Sequence, residues 1–335
     1  MLAEKEQDLA QPSSRSGMRV LLTLIAIGLA ALVFSAWKFK VTGQPPFLHR
    51  ENVWSIAIYE GPSPTKLSPI STRNVPVLSA SDVSDVDALF VADPFMVEAN
   101  GEWYMFVEVL NKKTNQGDIA VASSDDGLSW RYEQIVLDEP WHLSYPSVFQ
   151  LEDKWYMLPQ GNTGVHLYEA ESFPTSWKKV ATLMQGDDLA DPTLFHHDGS
   201  WWMFLGRSGT HDRLQLFFAD ELTGPWTEHP QSPIIKSNPD TARPGGKVVE
   251  SDGQLFRFAQ DCAPKYGNQL RAFRITQLNR TEYAEQPIDG EFVLTAGSHE
   301  WNANGMHHVD AHKVRDKWRA VVDGHKKTWS LSLSP

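Results

Sequence analysis

The sequence predicts an all-β fold, a five-bladed β-propeller preceded by a single N-terminal transmembrane helix. Three observations support this prediction. One uncharged apolar run lies near the N-terminus, one motif recurs five times along the rest of the chain, and each recurrence has the pattern of a tight hairpin. Repeats of 40 to 50 residues that each hold several strands are typical of radially packed propeller blades.

The apolar run from Val20 to Trp37, "VLLTLIAIGLAALVFSAW", contains 18 residues without a charge. This length is near the minimum for crossing the hydrocarbon core of a bilayer. A cleaved signal peptide is the alternative, but the run is longer than a usual signal core, and Lys38 and Lys40 follow at once. We therefore expect an uncleaved anchor.

The expected domain organisation has four parts, namely a tail over 1–19, an anchor over 20–37, a linker over 38–50 and a propeller over 51–335. Three basic residues lie on each side of the anchor, so the positive-inside rule leaves its orientation open. Our hypothesis places the N-terminus inside and the propeller on the outer, periplasmic or extracellular, side. The basic residues are Lys5, Arg15 and Arg19 before the anchor and Lys38, Lys40 and Arg50 after it.

The five copies of the motif are separated by 52, 46, 52 and 67 residues, counted from the position of Asp93. Each copy has an apolar run, a turn such as Asn-Gly or Asp-Gly, and a second apolar run rich in aromatic residues, which is the pattern of a hairpin. A β-sandwich is the rival fold, but it does not explain five recurrences of one motif. The copies begin with "ADPFMVEANGEWYMF" at Ala92, "SYPSVFQLEDKWYML" at Ser144, "ADPTLFHHDGSWWMF" at Ala190, "ARPGGKVVESDGQLFRF" at Ala242 and "VDAHKVRDKWRAV" at Val309.

A third strand follows each of the first four copies, as in "IAVASSDDGLSW" and "LQLFFADELTGPW". The segment "VWSIAIYEGPSP" at 53–64 resembles these third strands, and "WSLSLSP" ends the chain. We therefore expect the two ends of the chain to share the last blade. Strands such as "WWMFL" are apolar on both faces, as expected of sheets packed between neighbouring sheets.

Composition excludes one class of partner. The formal charge of -12 argues against nucleic acid, because binding to a phosphate backbone depends on clustered Lys and Arg side chains. Cys262 is the only cysteine, so no internal disulfide is possible. The 13 Trp and eight Tyr residues serve equally as core and as stacking surfaces for sugars.

In a propeller the first strand of every blade lines the central channel, so equivalent positions converge at one mouth. The motif thus collects Asp93, Tyr145, Asp191, Arg243 and Asp310. Arginine can hold a carboxylate in two-point contact. One interpretation is a ligand site, and the other is a structural ring in which Arg243 neutralises converging acids.

Glycoside hydrolysis commonly needs two carboxyl groups that flank the scissile bond. In the functional interpretation Asp93 is the general base, Asp191 is the acid or tunes its neighbour, and Glu108 is a spare candidate acid. Tyr145 and Arg243 hold substrate. Further candidates for substrate contacts are Asp261, His307, His308 and Asp310.

In "GMHHVDAH" the alternation of His308, Asp310 and His312 would place three possible metal ligands on one face of a strand. No second cluster supports them, and histidines in polar channels often only form hydrogen bonds. We expect no metal and no cofactor, with these three residues as the candidates if a metal binds.

These motifs resemble the propeller domain at the N-terminus of plant glucosamine inositolphosphorylceramide transferases and related bacterial proteins, over residues 50 to 330. The resemblance is carried by "ADPFMVEANGEWYMFVEV", "WHLSYPSVFQLEDKWYMLPQ", "ARPGGKVVESDGQLFRFAQDC" and "GMHHVDAH". In the plant transferases, glycosyl transfer is attributed to a separate C-terminal domain that has no counterpart here. The resemblance therefore does not imply transferase activity for this chain.

More distantly, the chain is similar to the five-bladed arabinanase and invertase superfamily of glycosidases. That similarity implies a base at Asp93, a tuning Asp in the second blade and a Glu acid in the third. This sequence has Tyr145 and Asp191 at the latter two positions.

Three functions remain open on the sequence. The first is a membrane-anchored, glycosidase-like enzyme that acts on a glycan or glycolipid at the acidic channel mouth. The second is a non-catalytic glycan-binding module that works with a separate glycosyltransferase. The third is a scaffold for a membrane complex, in which the acidic ring is coincidental.

Overall fold

The structure is a computed structural model that describes residues 14–42, 48–70, 75–290 and 292–331. Residues 1–13 of the expected tail, 43–47 of the expected linker and 332–335 of the final "WSLSLSP" segment lie outside the described residues. Asn52–Lys326 forms one compact unit, and the described residues before and after it belong to a second unit.

The helix α1 runs over Ser14–Thr42, and its part Gly17–Val41 is long and apolar enough to cross a membrane. It is longer than the uncharged run from Val20 to Trp37, since Arg and Lys are good helix formers and the backbone pattern continues through them. The apolar side chains described along this helix are exposed to solvent. The helix is therefore a candidate membrane anchor.

Twenty strands form five four-stranded sheets in the described chain, which confirms the predicted five-bladed propeller. Blades 1 and 2 have the strand orders β3-β4-β5-β6 and β7-β8-β9-β10. Blade 1 comprises β3 (Ala88–Ala99), β4 (Glu102–Asn111), β5 (Gln116–Ser124) and β6 (Arg131–Leu137), and blade 2 comprises β7 (Ser144–Leu151), β8 (Lys154–Gln160), β9 (Gly164–Ser172) and β10 (Ser176–Gln185).

Blades 3 and 4 continue this order, and blade 5 combines strands from both ends of the chain. Blade 3 comprises β11 (Leu189–His197), β12 (Ser200–Arg207), β13 (Gln215–Ala219) and β14 (Thr227–Glu228). Blade 4 comprises β15 (Val249–Ser251), β16 (Gln254–Asp261), β17 (Gln269–Leu278) and β18 (Tyr283–Pro287). Blade 5 has the order β19 (Val309–Val314), β20 (Lys317–Leu331), β1 (Leu48–Ser63) and β2 (Lys66–Pro69). Short 3₁₀ helices lie at Ala80–Asp82 and Glu300–Asn302.

Blade 5 confirms that the two ends of the chain share the last blade. The segment that resembled a third strand is β1, which pairs in third place beside β20. Across this junction the guanidinium of Arg319 donates to Glu60 Oε1 at 3.0 and 2.9 Å.

A two-residue turn joins the first and second strands of every blade, as the Asn-Gly and Asp-Gly pairs predict. The first turn residue has a positive φ in all five blades, and the second is a glycine with a positive φ in three, as type I′ turns require. The five first residues are Asn100, Glu152, Asp198, Asp252 and Arg315.

The core consists of five apolar clusters, each between two neighbouring blades. For example, Phe106 of blade 1 packs with Met157 and Tyr168 of blade 2, and Val321 of blade 5 packs with Met96 of blade 1. Each sheet is therefore apolar on both faces. Because a cluster also joins blades 4 and 5, the cores close the ring.

Candidate functional site

The innermost strands of blades 1 to 3 carry the same irregularity at the predicted site positions. Asp93, Tyr145 and Asp191 have φ of 51°, 51° and 49°, and the strand pairing shifts register at each of them. This left-handed conformation is rare outside glycine and asparagine, and it is costly for a bulky residue such as tyrosine. Bulges of this kind re-aim side chains and are enriched at functional sites.

Hydrogen bonds from the preceding blade hold each bulge. The backbone N–H of Asp93 donates to Asp323 Oδ2 at 3.1 Å, that of Tyr145 to Asp93 Oδ2 at 3.2 Å, and that of Asp191 to Gln160 Oε1 at 2.9 Å. Polar side chains thus link neighbouring blades around the channel. The repeated bulge and its side-chain acceptor bring the distant motif copies together.

Arg243 contacts one of the predicted carboxylates directly, that of Asp191. Its Nε lies 2.5 Å from Asp191 Oδ2 and its Nη2 3.3 Å from Oδ1, while Gln260 Nε2 adds a third bond to Oδ2 at 2.9 Å. Both charged side chains are buried. Burial alone would lower the pKa of Arg243, but the Asp191 carboxylate holds that pKa above its usual value. The pair is a buried, neutralised ion pair.

Two rings complete the surroundings of the Arg243 guanidinium. Its Nη1 lies 2.9 Å from His211 Nδ1, and its plane lies over the Tyr266 ring at 4.8 Å. Burial and the Arg243 charge lower the pKa of His211, so this imidazole stays neutral and accepts the Arg243 N–H through Nδ1. Its other nitrogen then carries a proton and can donate to a ligand.

The Asp93 carboxyl has one occupied and one unoccupied oxygen. Oδ2 accepts the Tyr145 N–H, whereas Oδ1 is buried and has no hydrogen-bond partner in the part of the chain that the structure describes; it lies 3.9 Å from both His307 Nε2 and His308 Nδ1. Burial raises the pKa of Asp93; the His307 charge opposes this rise, and the Glu108 carboxylate adds to it. Asp93 is therefore held toward its protonated form.

Asp323 fixes the orientation of the neighbouring His307. Its Oδ1 accepts three hydrogen bonds. One comes from the ring Nδ1–H of His307 at 2.8 Å, and two come from the backbone N–H groups of His307 and His308 at 3.2 and 3.0 Å. The His307 ring also stacks on Trp54, with 4.0 Å between ring centroids. Burial opposes ionisation of Asp323, but the His307 charge lowers its pKa below the usual range.

Three buried side chains could hold a metal ion, namely Asp93, His307 and Asp323, whose ligand atoms lie within 4.8 Å of one another. This group differs from the predicted one. His308 packs edge-on against Phe95 and Tyr145, and neither ring nitrogen of His308 has a hydrogen-bond partner among the described residues.

Asp310 was expected beside Arg243, and the structure gives it other partners. Its Oδ2 accepts the Met96 N–H at 2.7 Å and the His312 Nε2–H at 3.0 Å, and lies 3.5 Å from Lys247 Nζ. The pairing of β19 with β20 is regular, without the bulge that the first three blades share. His308, two residues earlier, lies beside Asp93 together with His307.

Glu108, the spare candidate acid, lies near the end of β4 and is buried. Its Oε1 is 3.1 Å from His142 Nε2, and the Gly117 N–H donates to His142 Nδ1 at 2.9 Å. That second bond leaves the imidazole proton on Nε2, directed at Glu108. The Glu108 charge also raises the pKa of Asp93, so the two carboxyl groups share one electrostatic environment.

Asp261 belongs to the pairing of β16 with β17. Its Oδ2 accepts Arg271 Nη2 at 2.8 Å and Gln269 Nε2 at 3.0 Å. The neighbouring Cys262 is buried, and burial raises the pKa of its thiol to about 12, which makes it a poor nucleophile.

Sequence reasoning missed five residues of this site. One signal was available, since Asp323 interrupts the apolar run "RAVVDGH" of a strand that the repeat predicted to be buried. His211 and Tyr266 lie in loops, and Trp54 and Gln260 lie at strand positions that the repeat did not single out. The five are Trp54, His211, Gln260, Tyr266 and Asp323.

Comparison with known proteins gives one family. Residues 48–325 match the model of the N-terminal domain of glucosamine inositolphosphorylceramide transferase 1. Two curated relatives of that name are similar to the chain, one from Oryza sativa subsp. japonica with 36% identity over 299 residues and one from Arabidopsis thaliana with 34% over 306. These alignments cover 82% and 83% of the chain. The chain spans about 40% of each relative's length.

Solved structures with a similar fold are glycoside hydrolases. The catalytic domain of a family 62 α-L-arabinofuranosidase from Coprinopsis cinerea has a TM-score of 0.55 at 12% identity and covers 81% of this chain and 97% of its own. An exo-β-1,3-galactanase from Clostridium thermocellum has a TM-score of 0.52 at 17% identity and covers 62% and 51%. At these identities the similarity shows the fold alone.

Proposed function

The chain belongs to the family of the N-terminal domain of glucosamine inositolphosphorylceramide transferase 1, and from this premise we propose that it is a membrane-anchored propeller that binds a glycan or glycolipid head group at its channel mouth. In this proposal the propeller recognises the ligand without cleaving it. Glycosyl transfer is left to a separate glycosyltransferase.

The observation that carries this proposal is the pairing of Arg243 with Asp191. A glycosidase of this architecture needs a carboxyl group that gives a proton to the leaving group. Both oxygens of the Asp191 carboxylate accept hydrogen bonds from buried side chains, Oδ2 from Arg243 and Gln260 and Oδ1 from Arg243. In this proposal such a carboxylate neutralises and orients Arg243, and it does not serve as the proton donor of a hydrolase. Tyr145 at the equivalent position of blade 2 supplies no carboxyl group in its place.

Binding of sugar hydroxyls uses the groups that remain. Sugar hydroxyls both donate and accept hydrogen bonds, so they suit a site that offers a carboxylate beside N–H donors. Here Glu108 is the acceptor. The donors are the guanidinium N–H groups of Arg243 that are not directed at Asp191, and the Nε2–H group of His211. Tyr266, partly exposed beside Arg243, adds an aromatic edge.

Hydrolysis by Asp93 and Glu108 is a second candidate function, and the raised pKa of Asp93 favours it. A buried carboxyl held in its protonated form near a second carboxylate is the arrangement that a general acid requires. In that case Asp93 gives the proton and Glu108 acts as base or nucleophile, which reverses the role expected for Asp93.

A binding measurement with the full chain in lipid nanodiscs tests the proposal. The probes are fluorescent mono- and oligosaccharides, including glucosamine and N-acetylglucosamine, together with inositol phosphate, and products are analysed chromatographically after each titration. We expect binding with intact ligand. We also expect affinity to fall at least about tenfold in Arg243→Lys, which cannot keep the two-point contact, and to be unchanged in the exposed control Arg213→Lys.

Two other results would change the conclusion. Cleavage of any probe that is lost in both Asp93→Asn and Glu108→Gln would establish the second candidate. Absence of binding across the probes, with the propeller folded by circular dichroism, would contradict both functions.

A further inference from the structure

The charged groups of the candidate site are almost closed off from solvent. The exposed fractions are 7% for Arg243, 6% for Glu108, 5% for Asp93 and 1% for Asp191. A sugar hydroxyl has to come within about 3 Å of such groups to form a hydrogen bond with them. The structure therefore describes a closed site, and the side chains that cover it have to move before a ligand can bind.

Two rings from surface loops cover Arg243. Tyr266 lies in the loop between β16 and β17, and the Arg243 guanidinium lies over its ring at 4.8 Å. His211 lies in the loop between β12 and β13 and stacks on the same Tyr266 ring, with 5.3 Å between the ring centroids and 27° between their planes. The two rings thus join blades 3 and 4 across the channel mouth.

The loop that carries Tyr266 is closed at its ends by a hydrogen bond, whereas its ring is held by aromatic contacts. The side chain of Asn268 donates to Ala263 O at 3.1 Å and so joins the two ends of the loop. Besides covering Arg243, the Tyr266 ring meets His307 edge-on, with 5.2 Å between the ring centroids. Each of these ring contacts is weak, and loops move within nanoseconds to microseconds. The Tyr266 ring can therefore leave Arg243 while the loop ends stay in place.

The closed arrangement leaves polar atoms next to these rings without partners. Asp93 Oδ1 and both ring nitrogens of His308 are buried, and none of them has a hydrogen-bond partner among the residues that the structure describes. His307, which contacts Tyr266, has its Nε2 3.9 Å from Asp93 Oδ1. An unpaired buried polar group costs free energy. This cost favours an open state in which water or a ligand hydroxyl reaches these atoms.

From these contacts we propose that the rings of Tyr266 and His211 form a gate, which swings away from Arg243 to admit a ligand to the channel mouth and closes again behind it. The inference rests on the binding function proposed above and adds controlled entry to that site. Opening moves the two rings and leaves the ion pair between Arg243 and Asp191 in place. The residues that bind the ligand thus stay preorganised while the gate moves.

The single cysteine of the chain reports on the gate without any ligand. Cys262 directly precedes the Tyr266 loop and is buried. Burial raises the pKa of its thiol to about 12, and the Arg243 charge opposes this rise, so the sulfur lies near the guanidinium that Tyr266 covers. A small thiol reagent therefore reaches Cys262 when the gate is open.

The rate of Cys262 modification tests the gate. The full chain in lipid nanodiscs is treated with methyl methanethiosulfonate, and intact mass spectrometry follows the reaction. We expect Tyr266→Ala to react at least about tenfold faster than the parent, because the contacts that hold the gate closed are lost. Tyr266→Phe keeps the ring and should react within about twofold of the parent. The control Tyr156→Ala removes a partly buried ring of blade 2 and should react at the parent rate.

His211→Ala removes the other ring and gives a second test that does not depend on the folding of Tyr266→Ala. We expect it to react at least about threefold faster than the parent, since one stacking contact of Tyr266 is lost. Parent rates in the alanine variants of the gate would overturn the proposal. Equal acceleration in Tyr156→Ala would overturn it too, because the reaction would then follow global unfolding. No ligand is used, so this failure is distinguishable from a failure of the binding proposed above.

Discussion

The guanidinium of Arg243 in blade 4 lies 2.5 Å from the carboxylate of Asp191 in blade 3, and both side chains are buried. The two residues occupy equivalent positions of the repeated motif, 52 residues apart. Arginine stands where blades 1, 3 and 5 have aspartates because it neutralises the nearest of them, Asp191. Blades 3 and 4 are therefore joined at the channel by charge as well as by the apolar cluster between them.

Removing either partner of this pair leaves an uncompensated buried charge. We expect Arg243→Met and Asp191→Asn each to lower the free energy of unfolding, by about 3 to 5 kcal/mol where the partner stays charged. The double variant should lose less than the sum, since it leaves no unpaired charge. Urea unfolding followed by tryptophan fluorescence measures the coupling, and additivity within about 0.5 kcal/mol would contradict the pairing.

The Asp93 carboxyl makes folding stability depend on pH. Its folded pKa lies above its unfolded pKa, so between the two values the folded state binds more protons and stability falls as pH rises. Asp93→Asn removes this loss and keeps an oxygen that can accept the Tyr145 N–H. We expect the variant to have a higher Tm than the parent at pH 7 to 8.

Below the unfolded pKa, near pH 3.9, the Tm difference between Asp93→Asn and the parent should vanish, because both folded and unfolded parent are then protonated. Differential scanning fluorimetry from about pH 3 to 8 gives this profile. A lower Tm in the variant at every pH would show instead that ionised Asp93 stabilises the propeller.

The Tyr145 hydroxyl joins three blades. It lies 2.8 Å from Thr193 Oγ1 and accepts the Gly246 N–H at 2.9 Å. Tyr145→Phe leaves the Gly246 N–H buried without a partner, which costs about 1 to 3 kcal/mol. The matched control is Tyr156→Phe, whose ring is only partly buried and which should cost less than about 0.5 kcal/mol by the same unfolding measurement. Equal costs would contradict the role of the hydroxyl.

The apolar helix α1 should determine membrane association. An arginine at the centre of a spanning helix costs about 2.5 to 3.5 kcal/mol of insertion free energy. We expect the double variant Ile25→Arg/Leu29→Arg to move from the membrane pellet to the supernatant after alkaline carbonate extraction, whereas Ile25→Val/Leu29→Ile stays in the pellet. Retention of the arginine variant in the pellet would show that another surface holds the protein on the membrane.

The repeat and the hairpin turns predicted the fold well, because both are local signals with a fixed spacing. The five blades, the hairpin in each blade and the shared last blade all follow from them. Blade 4 shows their limit. Its inner strand β15 is only Val249–Ser251 although the motif begins at Ala242, because Pro244 and two glycines precede the strand.

The pairings inside the channel were less predictable, because they depend on the depth of each residue along the channel axis. Alignment of the motif predicts that Asp310 lies at the same depth along the channel as Asp93. The regular strand β19 lacks the bulge, so His308 lies beside Asp93 instead. Asp310 contacts Lys247 and His312. Trp54 and Asp323 come from strands outside the inner layer. The hydrogen-bond partner of each carboxylate in the channel therefore depends on shifts of two residues along a strand, such as the shift from Asp310 to His308.

The fifth blade pairs strands from the two ends of the chain, and its contact between Arg319 and Glu60 joins residues 259 positions apart. During synthesis on the ribosome, β1 must wait for β20, and until then His307 and the bulge at Asp93 lack the Asp323 acceptor that orients them. The candidate site is thus complete only after β20 has been synthesised. A product that ends before β20 would leave one apolar face of blade 1 uncovered and accessible to quality-control proteases.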